Sequence, residues 1–225
     1  IYMRMIFLME GGRVIRNKKT FISNIIFWGS IWGIMEATLG YLLHWLPQLI
    51  SGNIMFPIGA AILLLAYKVN SSRLTVMGVG LVATLIKAIN LCMPNISMFK
   101  VLNPMISMLI QTLLFVIIVP LIIDKRSYYR SFFVIFASIL WRGAYVLIMA
   151  IQYLDSGYIQ TYLNTYEKAL KFIVINGMLS GIFASALIAI VSYVSKRISS
   201  SYNYKISPLF STAVMALAAV LTVIS

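Results

Sequence analysis

Glu36, Lys87 and Arg142 stand inside long apolar runs. A charge in a membrane span costs roughly 2.5 to 3.5 kcal/mol on insertion scales, so such a group faces the bundle interior and has a partner. Helical spacing gives each residue polar company. Gly29, Gly33, Glu36, Gly40 and His44 recur every three or four residues, Gly80, Thr84, Lys87 and Asn90 share a second face, and Ser138, Arg142 and Tyr145 share a third. Counting rise along the helices puts Glu36 and Arg142 near mid-membrane, Lys87 higher, and His44, Asn90 and Asn103 near the outer rim. These six residues form the candidate substrate-binding set, a funnel open outward. Two chemistries fit it. Glu36 pairs with one cation simply to make burial tolerable, or the surplus cation receives an anionic group, a carboxylate or phosphate, from a bound molecule.

Other chemistry has little support. The sequence has no GxxxxGK[ST] phosphate loop, no HExxH zinc helix and no GxSxG elbow, and its one His would have to serve every proton transfer. No catalytic residue, metal site or cofactor is expected. His44, beside Trp45, suits a rim position as well as a ligand role, and Cys92 is either a small apolar residue at a helix end or a metal ligand. A lone Cys also excludes an intrachain disulfide.

The elements that must position these residues are transmembrane helices. Of 225 residues 61% are hydrophobic and 10% charged, a balance suited to lipid rather than water. Seven apolar runs are legible: Asn24 to Leu46, Ile54 to Val69, Leu74 to Cys92, Leu102 to Ile123, Phe132 to Leu154, Ala169 to Ser195 and Ile206 to Ile224. Pro57 falls near the start of the second, where a missing N–H costs least. The expected fold is all-α, a polytopic transmembrane bundle of six or seven helices in one domain spanning 1–225. Residues 1–23 read as a basic cytoplasmic segment and 206–225 as an extra seventh helix. Ile1 to Glu10 lacks the pattern of a secretory signal, so the first span is expected to act as an uncleaved insertion signal.

The net charge of +13 reflects topology rather than nucleic acid. Thirteen of the eighteen Lys and Arg fall on one side of the expected membrane: those from Arg4 to Lys19, then Lys68, Arg73, Lys125, Arg126, Arg130, Lys196, Arg197 and Lys205. The other side holds Lys100, Lys168 and Lys171. The positive-inside rule then makes the N-terminus cytoplasmic and the site outward-facing. Trp28, Trp32, Trp45, Trp141 and the Tyr-rich loop from Tyr153 to Tyr166 suit interfacial belts, and the loop also suits a cavity cap. Gly177, Gly181, Ser185 and Ala189 form a four-residue stripe, as Gly29, Gly33 and Gly40 do on the first helix, and such stripes either pack within the bundle or dock a partner subunit.

From residue 51 the chain reads SGNIMFPIGAAILLLAYKVNSSRLTVMGVGLVATLIKAINLCMPN, and from 101 VLNPMISMLIQTLLFVIIVPLI. An outer Gly and Pro opening one helix, a short turn, then a Gly-rich helix ending in polar residues resembles the substrate-binding S component of energy-coupling-factor (ECF) transporters. The likeness covers about half the chain. It implies a compact protein of the bacterial or archaeal cell membrane that captures a vitamin or similar micronutrient and docks on a transmembrane scaffold subunit driven by two ATPase subunits. In that family small residues of the first helix serve docking, which falls here on Gly29 and Gly33; the family's usual six helices leave the seventh run as a departure. The alternatives are a structural or assembly subunit of a larger membrane complex, and an ion-coupled permease in which Glu36 titrates.

Overall fold

The computed structural model of the protein describes residues 18–43, 48–94, 97–123, 125–157, 160, 163–198 and 206–224. Among them the regular structure is helical: α1 Lys18–Leu43, α2 Gln48–Asn70, α3 Arg73–Ala88, α4 Met98–Ile122, α5 Ser127–Ser156, α6 Tyr166–Ile173, α7 Ile175–Ile198 and α8 Pro208–Ile224. A 3-10 turn, Ile89–Cys92, extends α3, and α6 and α7 follow one another as a single broken rod. The expected all-α bundle is the observed one.

Local chemistry sets the ends. Ser72 caps α3, its hydroxyl accepting from the Leu74 N–H at 3.2 Å. Thr165 caps α6 in the same way. Gly157 ends α5 at φ 67°, the left-handed conformation that glycine adopts without a Cβ clash, and its N–H donates to the Tyr153 carbonyl at 2.8 Å.

Five helical stretches are long and apolar enough to cross a membrane: Gly52–Asn70, Arg73–Cys92, Met98–Ile122, Ser127–Ser156 and Tyr166–Val194. The chain is a multi-pass membrane protein. The expected first span, α1, has 26 residues but is diluted by Lys18, Lys19, Ser23, Asn24, Ser30 and Glu36. The expected seventh, α8, is a shorter apolar helix of 17 residues. It lies along α1, with Phe27 stacked on Phe210 at 5.8 Å and its Ser211, Ala218 and Thr222 buried.

Two boundaries differ from expectation. The basic segment 1–23 is already helical from Lys18, because Ser23 and Asn24 are buried against the bundle rather than left in water. Residues 1–17 lie outside the described residues. In addition, α2 begins at Gln48, so Pro57 sits in a helix interior instead of near a start. A proline there cannot donate to the carbonyl four residues earlier, that of Asn53. Neighbouring helices stabilise α2 despite this defect, since α1, α3, α4 and α7 all pack on it.

With α2 central, the others wrap it: α1 contacts α3, α3 contacts α4, α4 contacts α5, and α5 contacts α7. Phe56, Leu63, Leu64, Val76, Val79, Phe115 and Val119 are the buried filling. Close approach uses missing side chains, as expected when apolar contact alone has little value in lipid. A Cβ at Gly29 would come 2.6 Å from Val82 Cβ, one at Gly78 2.8 Å from Ile25 Cγ2, and one at Gly80 would strike Thr112.

Candidate functional site

Arg142 lies mid-way along α5 and is 0% exposed. Its Nη2 donates to Asn53 Oδ1 at 2.7 Å and to Ser180 Oγ at 3.2 Å, drawing together α2, α5 and α7. Ser180 in turn shares a 2.6 Å hydrogen bond with Ser138, one turn before Arg142 on the same face. The guanidinium carbon sits 4.8 Å from the ring centroid of Trp141 and 4.6 Å from that of Phe172, close enough for both rings to stabilise the cation. Glycines make the space: a Cβ at Gly52 would stand 3.6 Å from Nη2, and one at Gly177 3.5 Å from Cδ.

An aromatic wall surrounds this head group. Trp141 stacks on Phe56 at 5.9 Å and meets Tyr145 and Phe172 edge-on. From the loop that follows α5, Gln160 is buried and donates to the Tyr145 hydroxyl at 2.9 Å, and Leu163 is buried with it. Two buried donors in the neighbourhood, Trp141 Nε1 and Asn176 Nδ2, have no acceptor among the described residues. Asn176 lies one turn from Ser180 and next to Gly177. Buried N–H groups of this kind are costly unless something accepts from them.

Glu36 and Lys87 belong to a second cluster, between α1 and α3. Gly33 lets α1 approach α3 at Ile86, the residue before Lys87, with a Cβ there 3.0 Å from Ile86 Cδ1. The half-buried Glu36 carboxylate feels the Lys87 ammonium and the Trp32 indole, and its Oε2 folds toward Gly40. Lys87 is buried at 9% exposure. Arg142 is not among the groups acting on Glu36.

The expected single funnel therefore resolves into two polar clusters. The physical reason is α2, which packs on α1 from one side and α7 from the other and so separates the Glu36 face from the Arg142 face. Asn90 in the α3 extension and Asn103 near the start of α4 are both buried, each with an Oδ1 that accepts no hydrogen bond among the described residues. His44 and Trp45 lie outside the described residues. Cys92 is exposed, and no three of the described His, Cys, Asp and Glu gather at one point.

The small-residue stripes meet neighbours within the chain. Gly29 and Gly33 are filled by Val82 and Ile86 of α3, while Gly177 and Gly181 are filled by Ile139 and Ile135 of α5. The Gly29 and Gly33 face expected to serve docking packs on α3, and the Gly177 stripe, open to packing or docking, packs on α5, because helices two places apart in sequence need that closeness to exclude lipid.

No family model, curated protein or solved structure matches the chain. Its chemistry must be argued from its own residues. Sequence reasoning placed Ser138, Arg142 and Tyr145 on one face, and all three are buried. It did not single out Asn53, Ser180, Phe172, Asn176 or Gln160. The available signal was Asn176 and Ser180 four residues apart in an otherwise apolar helix, the spacing of one polar face.

Proposed function

We propose that the protein is the membrane-embedded binding component of a small-molecule uptake system, resembling the S component of ECF transporters, with a scaffold and two ATPase subunits supplied by other chains. In this reading Arg142 holds an anionic group of the substrate, a carboxylate or phosphate, and the surrounding aromatic rings hold its apolar part. The supporting observation is the surplus of donors. Beside the buried guanidinium, Trp141 and Asn176 each hold an N–H with no acceptor among the described residues. An anion among these donors would satisfy them at once, and guanidinium–anion hydrogen bonds are about twice as strong as neutral ones. Glu36 and Lys87 serve as a self-contained pair rather than as ligands.

The test is a binding measurement. Gently solubilised protein should co-purify with, or be thermally stabilised by, an anionic micronutrient-sized molecule. Arg142→Gln should weaken that binding by about 30-fold or more, the effect of removing one partner of a buried charge pair, while Lys87→Gln paired with Glu36→Gln leaves it within about threefold. Equal affinity in folded Arg142→Gln protein would refute the assignment. The alternative, an assembly subunit of a larger membrane complex, draws on the opposite charges of Glu36 and Lys87, which bear on one another without a ligand. It predicts no small molecule bound and a chain unstable when expressed alone.

A further inference from the structure

The charge available around Arg142 is limited to one sign and one unit. Among the described residues the buried cations are Arg142 and Lys87; Lys87 acts on Glu36, and Arg142 does not. Lys100, Lys168 and Lys171, the cations of the expected outer side, are exposed. Of the five acidic residues in the chain, Glu36 alone stands inside an apolar run, while Glu10, Asp124, Asp155 and Glu167 fall before or between the runs. Arg142 therefore gives its surroundings a single permanent positive charge.

The other donors beside it are uncharged. Trp141 precedes Arg142 in α5, with its ring centroid 4.8 Å from the guanidinium carbon, and Asn176 precedes Gly177, where a Cβ would stand 3.5 Å from Arg142 Cδ. Both side chains are buried, at 3% and 6% exposure, and Trp141 Nε1 and Asn176 Nδ2 have no acceptor among the described residues. An indole or amide N–H supplies a hydrogen bond without supplying charge. The two groups thus add contacts for an anion's oxygens while the positive charge stays at one. That ratio discriminates between anions. A carboxylate carries one negative charge on two oxygens and leaves the cluster neutral. A phosphate monoester carries about −1.5 to −2 at neutral pH, and a buried charge without a counter-charge is strongly unfavourable.

We propose that the ligand of this site is a monocarboxylate with an apolar body, that Trp141 and Asn176 donate to its oxygens beside Arg142, and that phosphate esters are rejected for their second charge. This rests on the reading of Arg142 as the contact for the ligand's anionic group and narrows that group to one class. The apolar body meets the rings of Phe56, Tyr145 and Phe172, which pack with Trp141 around the guanidinium. Trp141 and Asn176 are the residues that set specificity: they hold oxygens that a lone guanidinium would leave to water, and they do so without inviting a dianion.

The experiment is isothermal titration calorimetry of the gently solubilised full chain with two probes that share a phenyl ring and a short linker, 3-phenylpropionate and 2-phenylethyl phosphate. Titrations at about pH 5.5 and about pH 8 bracket the second phosphate ionisation near 6 and lie above the ordinary carboxylate range. Affinity for the carboxylate should agree within about twofold between the two conditions, while the phosphate ester, a monoanion in the first and a dianion in the second, should weaken about tenfold or more. Asn176→Leu and Trp141→Phe, each removing one N–H at little change in shape, should weaken the carboxylate about tenfold, the effect of one hydrogen bond to a charged group. A phosphate ester that binds at pH 8 as tightly as the carboxylate, with both lost in Arg142→Gln, would overturn the monocarboxylate assignment and leave Arg142 as an anion contact. Carboxylate binding that persists unchanged in folded Arg142→Gln protein would instead remove that contact, and this proposal with it. Unchanged carboxylate affinity in both Asn176→Leu and Trp141→Phe, or no binding of 3-phenylpropionate at millimolar concentration, would also overturn it.

Discussion

Two buried charges in this bundle are stabilised in different ways. Between α1 and α3, Glu36 answers Lys87 with a charge of opposite sign. Between α2, α5 and α7, Arg142 is met by an amide oxygen, a hydroxyl and two aromatic faces. The first arrangement sets an opposite charge against the cost of burial within the protein itself. The second spreads a permanent charge over dipoles and ring faces and keeps donors available nearby. A pair of opposite charges resists an added anion, since the acid repels it. The donors of Trp141 and Asn176 beside Arg142 would instead meet an added anion.

The largest expected effect follows from halving the first arrangement. Lys87→Met removes the opposite charge acting on Glu36, and breaking one side of a fully buried pair costs roughly 3 to 5 kcal/mol. Adding Glu36→Gln should recover most of that loss, because no uncompensated charge then remains. Arg142→Met is expected to cost less, about 1 to 3 kcal/mol, because it leaves the Asn53 amide oxygen without this donor while Ser180 keeps its bond to Ser138. Denaturant unfolding in mixed micelles, run as a double-mutant cycle for Glu36 and Lys87, measures all three. A Glu36–Lys87 coupling smaller than the cost of Arg142→Met would reverse the comparison.

A second contrast concerns the glycines beneath each cluster. Gly29→Ala places a Cβ 2.6 Å from Val82 Cβ and 2.9 Å from the Val79 carbonyl, so α1 and α3 must separate. The expected cost is about 1 to 3 kcal/mol, the range for overpacking a tight contact. Gly52→Ala meets only Arg142 nitrogens at 3.6 and 3.7 Å, ordinary contact distances. It should leave stability nearly unchanged while weakening any ligand seated on the guanidinium. If Gly52→Ala unfolds the protein and Gly29→Ala does not, the assignment of packing to α1–α3 and of binding space to α2–α5 fails.

Much of the scaffold was readable from the sequence because membrane helices obey coarse rules. Apolar runs of spanning length became helices, and Ser138, Arg142 and Tyr145 shared a face because a helix enforces that spacing. Convergence was not readable. Glu36, Lys87 and Arg142 each belonged on an inward face, but which faces meet depends on the order of helices around α2, and hydropathy carries no information on that order. Asn53 escaped notice because Pro57 suggested a helix beginning near Ile54, which left Asn53 in a loop. Ser180 escaped for a different reason: the four-residue stripe of Gly177, Gly181, Ser185 and Ala189 passes over it, and a lone serine carries no sign of the arginine it meets. Phe172 lies in α6, the short helix ahead of the break at Val174, and a continuous apolar run carries no cue to the break that places its ring beside Arg142.

The smallest expected effect would sharpen the comparison most, since it separates binding from folding. Gln160 reaches from the loop after α5 to the Tyr145 hydroxyl at 2.9 Å and to the Met149 sulfur at 3.6 Å, covering the aromatic wall around Arg142. Gln160→Ala removes one neutral hydrogen bond, so stability should fall by about 1 kcal/mol or less. The Glu36–Lys87 coupling energy should not change, because α2 lies between the two regions. If the loop covers a ligand, the dissociation rate should rise several-fold with little change in the association rate, as is usual when a contact made only in the complex is lost. Stopped-flow displacement of a bound anionic ligand reads this directly. An unchanged dissociation rate with Arg142 still required would mean that the molecule enters and leaves by a route that Gln160 does not cover.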